Sequence, residues 1–335
     1  MTVRVGLIGA GRMGDTHAKC MSDIPASKIV AVSDAIAARA QTMAGRFGAA
    51  MYSRYQDMLA KEKLDAVYIC TPTGDHTEIA VAVAKRGLPF FIEKPLALTM
   101  ADGWRVAQAV EESGVLSCVG YHWRYTNAVA KAKEILGQRP LSLMAAEWYW
   151  TLPPILWLRN KDLGGGQVVD QTTHLTDLFN VFGGPVTSLG ANYTLNTYTD
   201  GEFHNWDGYA LTCKHAGGAV SSLHCTYALF PQIADFAPPR VDLCARELFL
   251  RLMPSGLTVV TPQGTEQFAN TGAFHFNINQ AFITAVDSGN RALVHSTVQE
   301  TLRSLALTLA ATESAQTGTI VDIDAFMQDA KHAEP

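Results

Sequence analysis

A glycine-rich turn near the start of the chain constrains its fold more than any other feature. The turn reads Gly9-Ala10-Gly11-Arg12-Met13-Gly14. An apolar run over residues 3–8 precedes it, and an amphipathic run from about residue 13 to residue 20 follows it. In a G-x-G-x-x-G turn between a strand and a helix, the first glycine allows a tight turn and the second lets backbone approach a pyrophosphate. The third glycine lets helix and strand pack closely, and the helix N-terminus presents N–H groups to phosphates.

An acidic residue follows the second strand-like run at the spacing of a dinucleotide site. Residues 28–33 are predicted to form a strand, and Asp34 comes 20 residues after Gly14. A carboxylate at this position accepts hydrogen bonds from ribose hydroxyls and repels a 2′-phosphate. We therefore predict a dinucleotide site that takes NAD, while Arg12 and Arg39 leave NADP possible. The alternative is an ordinary glycine turn.

Composition excludes several classes of protein. The chain has 335 residues, of which 48% are hydrophobic and 17% are charged, and this balance predicts two or three domains with buried cores. A net charge of -5 without a basic block argues against a nucleic-acid partner, and no apolar run is long enough to span a membrane. Six scattered cysteines without a C-x-x-C pair, and a first strand directly at the N-terminus without a signal peptide, predict a cytoplasmic protein.

Strand-like and helix-like runs alternate through the first 122 residues. Beyond the second strand, strands are predicted at 64–70, 88–92 and 116–120, and helices at 77–85 and 99–113. This alternation is typical of a doubly wound parallel sheet, which binds ligands at the carboxyl ends of its strands. The residues predicted at those ends are Asp34, Thr71, Glu93, Lys94, Gly120 and Tyr121.

Two residues at this edge have more than one interpretation. Lys94 follows a buried strand and precedes Pro95, so its ammonium can donate to a substrate oxygen or hold a nicotinamide. The alternative is a surface lysine in a turn. His76 is predicted to cap or pad the following helix, with cofactor contact as the less favoured interpretation.

An aromatic and basic cluster follows the last predicted parallel strand. Stacking surfaces and a guanidinium suit a polyhydroxylated ligand, and we assign Tyr121, Arg124 and the later Trp157 to substrate binding. Trp123 and Tyr125 fit interdomain packing equally well.

A second chemical signal lies in the predicted helix from Gln167 to Phe182. Asp170 and His174 are four residues apart and would share one helix face. A carboxylate beside an imidazole orients it and raises its proton affinity, as a general base requires. A structural i,i+4 pair is the alternative. We discount a metal site because no further His/Asp pair has comparable spacing.

From Gly190 to Phe268 the pattern changes to consecutive strands, which predicts an antiparallel meander. Helices are predicted at 276–287 and 298–317. Helices are expected to cover one face of this sheet. We expect a second subunit to cover the other face, because a bare sheet face would expose a large apolar patch.

Several motifs together resemble the glucose–fructose oxidoreductase / inositol dehydrogenase / MocA family. They are the glycine turn, Thr71-Pro72 with His76, Glu93-Lys94-Pro95-Leu96, and Asp170 with His174. The resemblance implies an N-terminal Rossmann domain and a C-terminal α+β domain with a large open, mostly antiparallel sheet. It also implies NAD or NADP as cofactor, sugars, inositols or related polyols as substrates, and Lys94, Asp170 and His174 as the catalytic set. One departure is Gln171-Thr172-Thr173, where the family commonly has an apolar residue and a glycine after the aspartate.

These observations predict an α/β oxidoreductase with a Rossmann domain at 1–122 and a substrate-binding and oligomerisation domain at 123–335. The predicted reaction transfers a hydride between nicotinamide and a secondary hydroxyl or ketone of a sugar or polyol. A non-catalytic dinucleotide sensor and a glycoside-cleaving enzyme that uses transient oxidation remain as alternatives. A homodimer or homotetramer through the second sheet is expected. The residues assigned to the cofactor are Gly9, Gly11, Arg12, Met13, Gly14, Asp34, Thr71, Pro72, His76, Glu93 and Lys94. The residues assigned to the substrate are Lys94, Tyr121, Arg124, Trp157, Asp170 and His174.

Overall fold

A computed structural model describes residues 2–199 and 201–332 and divides the chain into two compact units. The first unit comprises the residues up to Tyr125 together with Gly272–Leu302. The second comprises Thr126–Thr271 and the residues from Arg303 on.

The N-terminal segment alternates strands and helices. In chain order these are β1 (Val3–Ile8), α1 (Arg12–Ser22), β2 (Ser27–Ser33), α2 (Ala37–Phe47), β3 (Ala50–Tyr52), α3 (Tyr55–Lys61), β4 (Ala66–Ile69), α4 (His76–Lys85), β5 (Phe90–Ile92), α5 (Met100–Ser113) and β6 (Ser117–Val119). All neighbouring strands pair in parallel, in the order β3-β2-β1-β4-β5-β6. The predicted doubly wound parallel sheet is therefore confirmed.

The segment from residue 126 to residue 271 is rich in strands. It contains α6 (Asn127–Leu136), β7 (Leu141–Thr151), α7 (Lys161–Gly164), α8 (Gln167–Asp170), α9 (Thr173–Gly183), β8 (Val186–Thr194), β9 (Gly208–His215), β10 (Val220–Leu229), α10 (Ile233–Phe236), β11 (Arg240–Ala245), β12 (Leu248–Met253), β13 (Gly256–Thr261) and β14 (Gly264–Ala269). The remaining elements are α11 (Phe274–Ser288), α12 (Val298–Thr317), β15 (Val321–Asp322) and α13 (Ile323–His332).

The second unit is built on a nine-stranded sheet in the order β14-β13-β12-β11-β7-β10-β9-β8-β15. Its neighbours are antiparallel except for β7 and β10, which run parallel. The predicted open, mostly antiparallel sheet is confirmed, but it is not a simple meander. Burial alternates along β9 and β10, so one face of the sheet is buried and the other is partly exposed.

Helix α11 packs with the first unit, whereas the sequence analysis placed its residues in the second domain. The reason is its apolar face, because Ile278, Phe282 and Ile283 are fully buried in the core of the parallel sheet. The Phe282 ring lies edge-on to Tyr68 at 5.5 Å between ring centroids. The Tyr68 ring stacks on Phe91 at 4.8 Å. The helix thus covers β4 and β5.

The single helix predicted from Gln167 to Phe182 is wrong, because the structure divides it into α8 and α9. The N–H of Thr172 donates to the Gln167 carbonyl at 2.8 Å, and the Thr172 hydroxyl donates to the same oxygen at 3.3 Å. A threonine hydroxyl that competes for a backbone carbonyl favours a helix end over a helix interior. Asp170 is therefore the last residue of α8, and His174 is the second residue of α9.

No helix among the described residues is both long enough and apolar enough to cross a membrane.

Candidate functional site

The glycine turn joins β1 to α1 with backbone geometry that explains its glycines. Gly9 has a φ of 96°, and a Cβ there would lie 2.5 Å from the Cys70 carbonyl. A Cβ on Gly14 would overlap the Gly9 carbonyl oxygen. A Cβ on Gly11 would meet nothing within 4 Å, so open space lies above the second glycine. Gly11 is also the N-cap of α1 and has no side chain to cap the first-turn N–H groups, which suits an anionic ligand.

Asp34 is held directly beside this turn. Its Oδ2 atom accepts a hydrogen bond from the Ala10 N–H at 2.7 Å, and Oδ1 accepts one from the Ile36 N–H at 2.8 Å. The N–H of Gly9 donates to the Ser33 carbonyl at 2.8 Å, which ties the ends of β1 and β2 together. Because a carboxylate has about four acceptor sites, Asp34 retains capacity for further donors.

The other cofactor residues predicted around the turn differ in exposure. Arg12 is exposed, and Met13 is half-buried against the hydrophobic core. Pro72 is exposed at the carboxyl end of β4. The Thr71 hydroxyl oxygen is shielded from solvent and forms no hydrogen bond within the described residues.

His76 is buried between two loops at this edge of the parallel sheet. Its Nε2 atom lies 3.1 Å from the Thr71 carbonyl oxygen, and its Nδ1 atom lies 3.0 Å from the Pro95 carbonyl oxygen. Burial lowers the pKa of His76 below its ordinary value. A neutral imidazole has one N–H and donates to one of these carbonyls at a time. The ring thus lies between the loop after β4 and the loop after β5.

Glu93 and Lys94 follow β5. The Glu93 side chain is 6% exposed, and its Oε1 atom lies 2.7 Å from His17 Nε2. Its Oε2 atom accepts a hydrogen bond from the Lys94 N–H at 3.1 Å. Burial alone raises the pKa of Glu93, but the His17 hydrogen bond and the positive charge of Lys94 outweigh burial and lower the pKa to about 2. Glu93 is therefore a buried carboxylate beside a half-buried lysine.

His17 and Asn279, which contact each other, are not singled out by any motif in the sequence. His17 follows Gly14 by one turn of α1, and its burial is consistent with the amphipathic pattern of that helix. Asn279 lies 262 residues away in sequence from His17, and no local pattern indicates the contact.

In the second unit, Asp170 and His174 flank the junction of α8 and α9. His174 is 4% exposed, and Asp170 is half-buried. Burial, and after it the negative charge of Asp170, raises the pKa of Tyr227 well above its ordinary value. The phenol of Tyr227 therefore stays protonated near Asp170.

Asp177 lies one turn after His174 in α9. It is fully buried and accepts a hydrogen bond from the Ser304 hydroxyl at 2.5 Å.

Gln167 fixes the start of α8. Its side-chain nitrogen donates to the Gln171 side chain at 2.8 Å and to the carbonyls of Trp148 and Thr226 at 3.2 and 3.3 Å. These two carbonyls belong to β7 and β10, so one buried amide ties α8 to both parallel strands. This glutamine positions the turn that carries Asp170.

The predicted substrate residues Tyr121, Arg124 and Trp157 lie in different settings. Tyr121 is 1% exposed, and the Arg124 guanidinium carbon lies 5.9 Å from the centroid of its ring. Arg124 also donates to the His295 carbonyl at 2.6 Å. Trp157 is half-buried in a short 3-10 helix, Leu156–Arg159, of the second unit.

Within residues 2–199 and 201–332, no group of three or more His, Cys, Asp or Glu side chains is arranged to hold a metal ion.

Sequence comparison places both parts of the chain in one group of proteins. Residues 3–121 match the GFO/IDH/MocA family described as "Oxidoreductase family, NAD-binding Rossmann fold". Residues 136–238 match the GFO/IDH/MocA C-terminal domain.

The chain belongs to the GFO/IDH/MocA oxidoreductase family.

Two curated relatives have names that state an activity. The scyllo-inositol 2-dehydrogenase (NAD(+)) of Bacillus subtilis (strain 168) is 29% identical over 197 residues, which is 57% of this chain and 57% of the relative. An inositol 2-dehydrogenase of Rhizobium meliloti (strain 1021) is 30% identical over 226 residues, which is 65% of this chain and 67% of the relative. The chain thus spans about half to two thirds of the length of these relatives.

The fold is shared with solved oxidoreductase structures. An oxidoreductase from Agrobacterium radiobacter, crystallised with NAD+, L-tartaric acid and magnesium, superposes with a TM-score of 0.86 at 20% identity. The superposition covers 97% of this chain and 99% of that chain. At this identity the likeness shows the fold alone.

The first unit has local features that fit its match to an NAD-binding Rossmann domain. Open space lies above Gly11, the Asp34 carboxylate is fixed beside the glycine turn, and the sheltered Thr71 hydroxyl has an unused hydrogen-bonding capacity. Backbone N–H groups at a helix N-terminus and a carboxylate that binds the ribose are groups that a dinucleotide contacts in such sheets.

Proposed function

We propose that this protein is an NAD-dependent dehydrogenase or reductase. Its substrate is a sugar, inositol or related polyol, which reacts at a secondary hydroxyl or ketone. The observation that carries the proposal is the carboxyl edge of the parallel sheet. There the open glycine turn, the fixed Asp34 carboxylate and the Glu93-Lys94 pair all follow strands of one sheet. The names of the two inositol dehydrogenases support a polyol as the substrate class.

Three side chains are proposed to carry the proton chemistry. The nicotinamide, when bound, supplies the hydride acceptor or donor. Lys94 donates a hydrogen bond to the reacting oxygen and favours its developing charge. His174 takes the hydroxyl proton during oxidation, and Asp170 orients the imidazole and stabilises its protonated form. Tyr121, Arg124 and Trp157 are proposed to bind the remaining hydroxyls of the substrate.

The proposed cofactor preference is for NAD over NADP. Asp34 is already bonded to two backbone N–H groups, so it is fixed where a 2′-phosphate would add negative charge. Two like charges at short distance disfavour NADP binding. Arg12 and Arg39 are both exposed, and neither is hydrogen-bonded to the Asp34 carboxylate.

The second unit is proposed to bind the substrate and to form a homodimer or homotetramer through the partly exposed face of its sheet. Leu143 and Val220 on this face are 40% and 47% exposed. Ion pairs cross the same face, with Arg240 at 2.9 Å from Glu147 and Arg251 at 2.7 Å from Asp242. A mixed apolar and charged surface of this kind suits an isologous pairing.

A substrate panel tests the proposal. The purified protein is incubated with inositol stereoisomers, aldoses, sugar acids and glycosides, each with NAD+ and separately with NADP+. The absorbance of the reduced cofactor, NADH or NADPH, is followed. Stoichiometric NADH formation with a ketone product supports the proposal. Glycoside cleavage without net NADH supports the elimination mechanism. NAD binding without turnover of any compound supports a sensor and contradicts the proposal.

A further inference from the structure

The Glu93 carboxylate is enclosed by a hydrogen-bond network that reaches from α1 to α11. One oxygen faces His17 Nε2 at 2.7 Å, and the other accepts the N–H of Lys94 at 3.1 Å. On its far side, the His17 ring meets Asn279, whose side-chain nitrogen lies 2.8 Å from His17 Nδ1. Glu93 is 6% exposed, and His17 and Asn279 are fully buried. The chain Asn279–His17–Glu93–Lys94 therefore lies inside the first unit.

The orientation of Asn279 determines which nitrogen of His17 carries the proton. The Asn279 atom that faces His17 also lies 2.6 Å from the His275 carbonyl oxygen. Only the amide nitrogen is favourable there, because an amide oxygen would face the carbonyl oxygen at short distance. With its two N–H bonds the nitrogen donates to His275 O and to His17 Nδ1. His17 Nδ1 is then an acceptor, and Nε2 carries the proton that is donated to Glu93.

The surrounding residues leave the carboxylate little freedom to rotate. A Cβ on Gly120 would lie 3.1 to 3.2 Å from the three carboxyl atoms of Glu93, so this glycine permits the close approach. The His17 ring packs on Phe91 with 4.6 Å between ring centroids. The Glu93 carboxylate and the His17 ring that contacts it are thus held by packing as well as by hydrogen bonds.

The other imidazoles near this ion are neutral. The His122 and His275 rings lie 4.5 Å apart. Burial lowers the pKa of both; the neighbouring His275 lowers the pKa of His122 further, and His17 lowers the pKa of His275 further. The positive charge beside Glu93 therefore comes from Lys94, its neighbour in sequence, whose N–H also donates to it.

We propose that His17 and Asn279 are positioning residues for Lys94. Asn279 fixes the tautomer of His17, His17 holds Glu93 as an oriented carboxylate, and Glu93 fixes the Lys94 backbone and places a negative charge beside its side chain. The proposal rests on the function proposed above, in which Lys94 contacts the reacting oxygen. It assigns a role to a residue of α11, which lies far from the glycine turn and from Lys94 in sequence.

The test compares four single variants of the protein, and two of these substitutions are also combined with Lys94→Ala. His17→Leu removes the donor to Glu93. His17→Gln retains an N–H donor and a carbonyl acceptor, and Asn279→Leu removes the group that fixes the tautomer. His215→Gln is the matched control, because His215 is an equally buried histidine of the second unit, bonded to Ser221 at 3.0 Å. NAD+ affinity is measured by calorimetry, and kcat and KM are measured with a substrate from the panel.

We expect His17→Leu and Asn279→Leu to lose about a hundredfold in kcat, the scale on which misplacing a reacting group acts. The NAD+ dissociation constant and KM should change little, and His17→Gln should recover most of the loss. In a Lys94→Ala background, His17→Leu and Asn279→Leu should lower kcat almost no further, because their effect passes through Lys94. Additive losses in the double variants, or an equal loss in His215→Gln, would overturn the proposal.

Nitrogen-15 NMR supplies a readout that does not depend on turnover. His17 should show a protonated Nε2 and an unprotonated Nδ1 at neutral pH. The backbone amide of Lys94 should shift in His17→Leu and return in His17→Gln. A protonated Nδ1, or an unchanged Lys94 amide, contradicts the network whether or not a substrate is found. If the network is observed but no polyol reacts, the proposed function fails instead.

Discussion

The Asp34 Oδ2 atom lies 2.7 Å from the backbone nitrogen of Ala10, so the end of β2 is bonded to the middle of the glycine turn. In the proposed cofactor site, this bond places the negative charge of Asp34 beside the backbone of the glycine turn. The position of the carboxylate is set before any ligand arrives, which reduces the entropy cost of binding.

Asp34→Ala should therefore weaken NAD+ binding and reduce the ratio by which NAD+ binds more tightly than NADP+. Hydrogen bonds to a charged group contribute about 1.5–3 kcal/mol, so we expect the NAD+ dissociation constant to rise about tenfold to a hundredfold. Calorimetry with both cofactors measures it. Asp65→Ala is the control, because Asp65 accepts the Arg4 N–H at 2.8 Å at the start of β4. Tighter NADP+ than NAD+ binding by the unmodified protein would contradict the preference.

Two glycines of the turn, Gly11 and Gly14, should respond differently to substitution by alanine. Gly14→Ala places a Cβ against the Gly9 carbonyl and should lower the melting temperature. Gly11→Ala meets no protein atom at a φ of -80°, so the fold should persist while NAD+ binding weakens. Gly45→Ala, in open space on α2, should leave NAD+ binding unchanged. Calorimetry and thermal unfolding separate these effects, and unchanged NAD+ binding in Gly11→Ala argues against the pyrophosphate position.

Stability should depend on the ionisation of Glu93. Its pKa falls from 4.5 to about 2 in the fold, so the folded state favours the carboxylate. The resulting stabilisation is fully present above the ordinary pKa and is lost as the pH falls through about 2. Its size is on the order of 3 kcal/mol. Urea unfolding of the unmodified protein and Glu93→Gln should differ most near neutral pH and converge in acid. Glu111→Gln, at an exposed site, should show no such convergence.

The parts of the fold that could be predicted from sequence depend on local patterns. The glycine turn, the alternation of strands and helices, and the residues at strand ends follow from spacing within about 35 residues, the span of one βαβ unit. Asp34 and the Glu93-Lys94 pair were found in this way. The strand β14 lies almost wholly within the predicted strand-rich region, but five of its six residues are exposed, so no alternating pattern marks it as a separate strand.

The remaining features depend on contacts between distant segments. The parallel pairing of β7 with β10 and the packing of Phe282 on Tyr68 join residues that share no local periodicity. The break between α8 and α9 had a local signal in Thr172, but the apolar periodicity of the segment masked it. The Asn279–His17 contact is of the same long-range kind. Sequence patterns indicated candidate catalytic and binding residues but not the long-range contacts that hold them in place.

The oligomer proposal predicts sensitivity at the centre of the partly exposed sheet face. Ala145 on β7 lies opposite Asp242 on β11 and Ser222 on β10. Ala145→Glu adds a carboxylate beside Asp242, and burying it in an interface costs several kcal/mol. Light scattering should show a dimer or tetramer for the unmodified protein and a monomer for Ala145→Glu. Ala38→Glu, on the exposed surface of α2, should not change the mass. A monomeric unmodified protein contradicts the proposal directly.

The sharpest prediction concerns His174 and Asp170. A general base contributes about a hundredfold to ten-thousandfold in rate, so His174→Ala should lose turnover on that scale while the NAD+ dissociation constant stays near normal. Asp170→Asn should lose less, because the base remains and only its orientation and charge partner change. His224→Ala, an exposed histidine of the same unit, is the control and should retain turnover. Steady-state kinetics on the substrate identified by the panel, together with calorimetry, measure both quantities. If His174→Ala turns over substrate as fast as His224→Ala, His174 is not the base.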